Sequence, residues 1–198
     1  MLGGDSFGVL DVPTLVNPVH ISAGTYHSCA VDDSGVKCWG YNSDGQSTPP
    51  SLTRSSQVSV AGYHSCALDD YGVACWGFDG FGVITVPELS NPRQVSTGWN
   101  HTCALDDSGV VCWGNDSENK LDVPEIIDPI HISAGSSHTC AVDAEGIKCW
   151  GRNASGQSSV PDMSTPTEVS AGGYHTCGLD AEGVKCWGSN QAGQSSVP

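Results

Sequence analysis

The sequence predicts an all-β repeat protein, and three observations carry that prediction. Cysteines recur as C-x8-C pairs at an unvarying spacing of 37 residues: Cys29 and Cys38, Cys66 and Cys75, Cys103 and Cys112, Cys140 and Cys149, Cys177 and Cys186. Tryptophan (Trp39, Trp76, Trp113, Trp150, Trp187), histidine (His27, His64, His101, His138, His175) and proline (Pro13, Pro50, Pro87, Pro124, Pro161, Pro198) keep the same phase. Short alternating segments are broken by turn residues, and no apolar spacing of 3.6 residues survives two helical turns. A unit of this length cannot bury its own apolar face and needs a stacked neighbour.

Units fall near residues 21–57, 58–94, 95–131, 132–168 and 169–198, with 3–13 as a partial unit, and the whole of 1–198 forms one domain. Within a unit, SCAVDDSGVKCW reads as a hairpin. A few strand residues lead to an Asp-Asp-Ser-Gly turn, whose glycine takes positive φ, and a strand returns. The turn recurs as DDYG, DDSG, DAEG and DAEG. If Asp32 faces Gly35, then Val31 faces Val36 and Cys29 faces Cys38, which places both cysteines on one side of the ribbon.

That register favours five hairpin disulfides, Cys29–Cys38, Cys66–Cys75, Cys103–Cys112, Cys140–Cys149 and Cys177–Cys186, each stabilising by about 2.5 kcal/mol on the chain-entropy estimate. Two alternatives stay open. H-x-C-x8-C supplies three potential zinc ligands per unit but no recurring fourth, and the thiols could instead be reduced and buried. Ten ordered cysteines predict an oxidising, extracellular or cell-surface setting. The opening MLGGDSFG lacks the charged region and apolar stretch of a secretory signal, and Met1 and Leu2 fall in the phase of Cys38 and Trp39, which predicts a mature or excised piece.

Composition excludes several function classes. Lysine and arginine total 7 against 22 aspartates and glutamates, a formal charge of −15, so no basic stripe exists to release counterions from nucleic acid or to hold an anionic membrane. No run of about 18 apolar residues predicts membrane insertion. No phosphate loop, HExxH or GxSxG motif appears, and histidines that recur in every unit read as packing and backbone partners rather than catalysts, as do the five Trp-Gly pairs. The expectation is no enzyme, no catalytic residue, no metal and no cofactor. Asn100, Asn115 and Asn153 begin N-x-S/T sequons.

The units SAGTYHSCAVDDSGVKCWGYNSDGQ and SAGSSHTCAVDAEGIKCWGRNASGQ resemble the repeat of the regulator of chromosome condensation (RCC1) family, which runs AGxxHxxAL and then DGxVxxWGxNxxGQ. The short unit is most similar to the bacterial branch that includes β-lactamase inhibitor protein II. The resemblance implies a β-propeller with about one blade per unit, five here against the usual seven, which leaves open a tighter five-bladed ring, a fragment of a larger ring and an arc completed by another chain. It also implies loop faces that meet a protein partner. The N-x-x-G-Q element is intact at 42–46, 153–157 and 190–194 but departs at Asp79 to Val83 and Asp116 to Lys120, and SVAGYH replaces SAGTYH in the second unit; those blades should differ at a loop.

The hairpin register separates two ends. Asp32, Asp33, Asp69, Asp70, Asp106, Asp107, Asp143, Glu145, Asp180 and Glu182 collect at the turn end, where turn chemistry and solvation account for them. Tyr26, Tyr41, Tyr63, Phe78, Trp99, Arg152 and Tyr174 collect at the other end, and they vary between units while the scaffold does not. Aromatics and arginine anchor interfaces, so this end is the candidate recognition face, weighed against plain packing between blades. The functional expectation is a secreted or surface-displayed binding scaffold. Its alternatives are a structural subunit that self-associates through incomplete terminal blades, and a lectin that stacks sugars.

Overall fold

A computed structural model describes residues 7–197. Each unit forms one three-stranded antiparallel sheet in the simple order first-second-third strand. The first blade comprises β1 (His20–Ala23), β2 (His27–Asp32) and β3 (Gly35–Gly40), and the second β4 (Gln57–Val60), β5 (His64–Asp69) and β6 (Gly72–Gly77). The pattern continues with β7 (Gln94–Thr97), β8 (His101–Asp106), β9 (Gly109–Gly114), then β10 (His131–Ala134), β11 (His138–Asp143), β12 (Gly146–Gly151), and finally β13 (Glu168–Ala171), β14 (His175–Asp180), β15 (Gly183–Gly188). The hairpin pairs Cys29 with Cys38, Val31 with Val36 and Asp32 with Gly35. Gly35 has φ 112°, as the tight turn demands.

Five disulfides join the paired cysteines, with Cα atoms 4.0–4.1 Å apart. They do more than clip a hairpin. Cys29 and Val31 of one blade pack against Val58, Ala67 and Trp76 of the next, and the same seam recurs at Cys103 and Leu105 against Ile132, Ala141 and Trp150. The core is therefore a series of interblade seams, one sheet face against the next.

The short first strands lie beside one another around the axis. Their free edge groups are satisfied by the preceding blade: Ser22 Oγ accepts from Val60 N, Ser59 Oγ from Thr97 N, Ser96 Oγ from Ala134 N and Ser133 Oγ from Ala171 N, all at 2.9–3.0 Å. A backbone edge that would otherwise attract foreign strands is thereby occupied. The sheets do not close into a ring. Ile21 of the first blade is 65% exposed while its equivalent Ile132 is 1% exposed, and Leu179 of the last blade is 39% exposed while Val142 is fully buried.

The two departing units differ where expected. Short 3-10 turns at Gly80–Gly82 and Ser117–Asn119 replace the plain turns of the other units, with Phe81 (φ 76°) and Glu118 (φ 68°) taking the left-handed region one residue before Gly82 and Asn119. The shifted glycine of the second unit has a steric reason: a Cβ on Gly62 would stand 3.1 Å from Trp99 O and 3.4 Å from its ring.

Candidate functional site

At the seams, four of the five repeat histidines meet a hydroxyl of the next blade in a relay that crosses from blade to blade, while His175 belongs to the last blade. His27 Nε2 meets Ser65 Oγ (2.7 Å), His64 meets Thr102 (2.9 Å), His101 meets Thr139 (2.7 Å) and His138 meets Thr176 (2.8 Å). Ser65 Oγ donates to Gln46 O, Thr102 Oγ1 to Val83 O and Thr176 Oγ1 to Gln157 O. A hydroxyl has one proton, so at these three seams the imidazole must donate from Nε2, leaving Nδ1 bare. Nδ1 of His27 and of His138 is indeed buried without a partner. Burial pushes His27, His64 and His138 down to about 4 and His101 to about 3, so the ladder is neutral.

The three carbonyls that end these relays also accept the tryptophan indoles, Trp76 Nε1 on Gln46 O, Trp113 on Val83 O and Trp187 on Gln157 O, and Trp150 bonds the equivalent Lys120 O, each at 2.9 Å. Because a backbone oxygen does this work, the N-x-x-G-Q loop tolerates Val83 and Lys120 in place of glutamine. Lys120 is buried and its ammonium is met by Asn115 Oδ1, Ser117 O and Ser117 Oγ. Trp39 bonds Val9 O, so residues before the first blade stand in for the preceding loop. The cysteines are consumed by disulfides and His27, His64, His101 and His138 by hydroxyls, and no cluster of three or more metal-ligating side chains occurs among the described residues.

The acidic end is built as turn chemistry. Asp32 accepts from Ser34 N, Ser34 Oγ and Val16 N, and pairs with Lys37 at 2.9 Å. The Ser34 hydroxyl, the Val16 amide and the Lys37 ammonium hold its carboxyl well below the usual carboxylate range. Thr53 N to Asp69, Ser90 N to Asp106, Ile127 N to Asp143 and Ser164 N to Asp180 repeat the tie between hairpin turn and incoming loop.

The opposite end is different. Tyr26, Tyr41, Tyr63, Phe78 and Trp99 lie in one connected group, joined by Phe7. Tyr26 and Tyr63 stack at 5.2 Å, Phe7 meets Tyr41 edge-on at 4.8 Å, Tyr63 meets Trp99 at 5.9 Å and Phe78 at 6.4 Å. A hydrogen bond with Tyr26, together with burial, raises the Tyr63 phenol. Arg152 and Tyr174 sit apart from this group, with the guanidinium 5.7 Å above the Tyr174 ring and 3.3 Å from Glu118 Oε1. Packing and exposure coexist here: the tyrosines and Trp99 are half-buried, whereas Phe78 and Tyr174 are exposed.

Two recesses open on the aromatic group. One of about 160 Å³ is walled by Phe7, Tyr26, Tyr41 and Tyr63, and one of about 220 Å³ by Asp44, Tyr63, Phe78 and Asn100. Sequence reasoning missed Phe7 and Asp44. Phe7 lies in the partial unit and Asp44 in a loop whose reach toward the next blade only the stacking sets. The three sequon asparagines also belong to this end.

Comparison with known proteins gives the same architecture. The model of the regulator of chromosome condensation (RCC1) repeat matches residues 19–46, 93–119, 130–157 and 167–194, more than half of the chain. The structure is similar to the entire ectodomain of the receptor kinase CR4 from Physcomitrella patens (TM-score 0.81, 26% identity, 99% of this chain and 58% of that one). It is also similar to the ectodomain of the Arabidopsis thaliana receptor kinase ACR4 (TM-score 0.68, 26% identity, 85% and 62%). Prp20p from Saccharomyces cerevisiae shares the fold (TM-score 0.75, 21% identity, 90% and 58%). The chain thus spans less than two thirds of each of these proteins. A search of curated proteins finds no match. On the repeat matches and the blade architecture, the chain belongs to the regulator of chromosome condensation (RCC1) repeat family.

Proposed function

We propose that the chain is a non-catalytic, secreted or surface-displayed scaffold that recognises a protein partner through its aromatic end. One observation carries this reading. The recurring histidines of the first four blades and the recurring turn aspartates are engaged in holding the scaffold together, while six aromatic rings, varied from unit to unit, form a continuous surface with two recesses. Aromatic anchors beside shallow pockets are what protein interfaces use for binding energy. Five disulfides and the likeness to receptor ectodomains support the extracellular placement.

The test is capture by crosslinking on intact cells of the source, using the chain and a triple variant Tyr63→Ala, Phe78→Ala, Trp99→Ala. The variant is expected to lose its crosslinked partner while keeping its circular dichroism spectrum. Equal capture by both proteins would refute the proposed face.

A second reading is favoured by the end blades. The exposed face of the last blade offers His175, Ser170, Leu179 and Val184, and that of the first offers Ser28, Ile21 and Val19. These are the two halves of the seam that joins every interior pair. A second copy could therefore dock head to tail, giving a heterologous assembly. Sedimentation at rising concentration separates the readings, since a strictly monomeric particle excludes assembly.

A further inference from the structure

The recess between the second and third blades has a chemistry of its own. Its walls are Tyr63 and Phe78, its remaining sides Asn100 and Asp44. Asn100 stands one repeat beyond Tyr63, and Phe78 one repeat beyond Tyr41. Where Tyr41 meets the Tyr63 ring of the next blade at 6.2 Å, the equivalent position of the blade after Phe78 holds Asn100 and no ring. The smaller side chain leaves a volume of about 220 Å³ beside exposed aromatic surface.

Two repeats on, the chain itself sets a cation against a ring at this end. Arg152, the residue of the fourth blade in register with Phe78, sets its guanidinium 5.7 Å over Tyr174 of the fifth, beside Glu118. A guanidinium between an aromatic face and a carboxylate is thus a combination that this end already accommodates. At the second seam the ring and the carboxylate are present and the cation is absent: the Asp44 carboxylate accepts the Ser43 hydroxyl at 2.9 Å and is in no ion pair among the described residues. The formal charge of −15 attracts a basic partner toward such a place.

We propose that this recess seats one cationic side chain, an arginine or lysine from a basic peptide segment of the protein partner, between the Tyr63 and Phe78 rings and the Asp44 carboxylate. The proposal rests on the aromatic end being the recognition face and gives that face its partner chemistry.

The experiment uses the full, oxidised chain from a host that does not glycosylate, so that Asn100 is bare. The probes are acetyl-Gly-Arg-Gly-amide and its neutral isostere with citrulline in place of arginine, titrated while the ring protons of Tyr63 and Phe78 are followed by nuclear magnetic resonance. The arginine peptide is expected to produce saturable shifts that the citrulline peptide does not. Asp44→Asn and Phe78→Ala should each weaken binding by about fivefold or more, consistent with a cation–π or exposed ion-pair contribution of about 1 kcal/mol. Asp33→Asn, at the acidic end, should leave it unchanged. Equal binding of both peptides, no binding, or equal loss with Asp33→Asn would overturn the proposal. Failure here alongside loss of the crosslinked partner in the triple aromatic variant would refute the cation pocket and leave the face standing; retention of the partner by that variant would refute the face itself.

Discussion

Blades two to four and the outer faces of blades one and five are made from the same repeat, yet they behave as different materials. Ile132 and Ile21 occupy one position of the unit, on β10 and β1, and are 1% and 65% exposed. Thr139 is fully buried under His101, while Ser28, its equivalent in the first blade, has no preceding histidine above it and is half-buried. The residue does not own its burial; its neighbour confers it. Stability in such a protein is close to a sum of blade terms and seam terms, so the same substitution should cost differently by position.

The largest expected effect is on the seams as a group. Histidines of the unfolded chain take up protons below about pH 6.5, whereas His27, His64 and His138 stay neutral to about 4 and His101 to about 3. The unfolded state therefore binds more protons in that window, and stability falls as pH drops from 6.5 toward 4. Each histidine contributes a slope of up to ~1.4 kcal/mol per pH unit, which can reach roughly 5 for the four together. Denaturant unfolding of the oxidised protein across that range measures it, and His101→Gln should remove about a quarter of the slope. A flat profile would mean that the interior seams do not differ from the open faces.

A single seam comes next. Ile132→Ala is expected to cost about 3 kcal/mol and Ile21→Ala within about 0.5, both read from denaturant midpoints. Equal costs would show that a further surface covers Ile21 in solution. The smallest effect tests the relay: Thr139→Val leaves the buried His101 without its hydroxyl and should cost about 1–3 kcal/mol, while Ser28→Ala should be near neutral.

Much of this was legible in the residues. The period gave the units, the Asp-Asp-Ser-Gly turn set the register that puts Cys29 opposite Cys38, and the loss of N-x-x-G-Q at 79–83 and 116–120 marked the two loops that differ. Each is a local pattern, readable from a dozen residues. The first strand of each blade was not singled out, because four residues such as HISA or QVST carry too little alternation to stand apart from a loop. The histidine relay was equally hidden, since the partners His64 and Thr102 are 38 residues apart and both types are common on surfaces.

The candidate face divides the same way. That aromatics gather at one end follows from strand register, but which rings touch depends on how one blade stacks on the next. Stacking joined Phe7 to Tyr41, brought Asp44 to Phe78 and separated Arg152 and Tyr174 from the rest.

By itself the sequence determined the repeat, the hairpin, the opposition of the cysteines and the charge of the two ends, because these depend on residues within one turn or one ribbon. Only the tertiary structure decided which faces are buried, which carbonyl ends each relay, and where a recess opens between rings. Those properties belong to pairs of blades, and a contact between neighbours a whole repeat apart is written in neither unit alone.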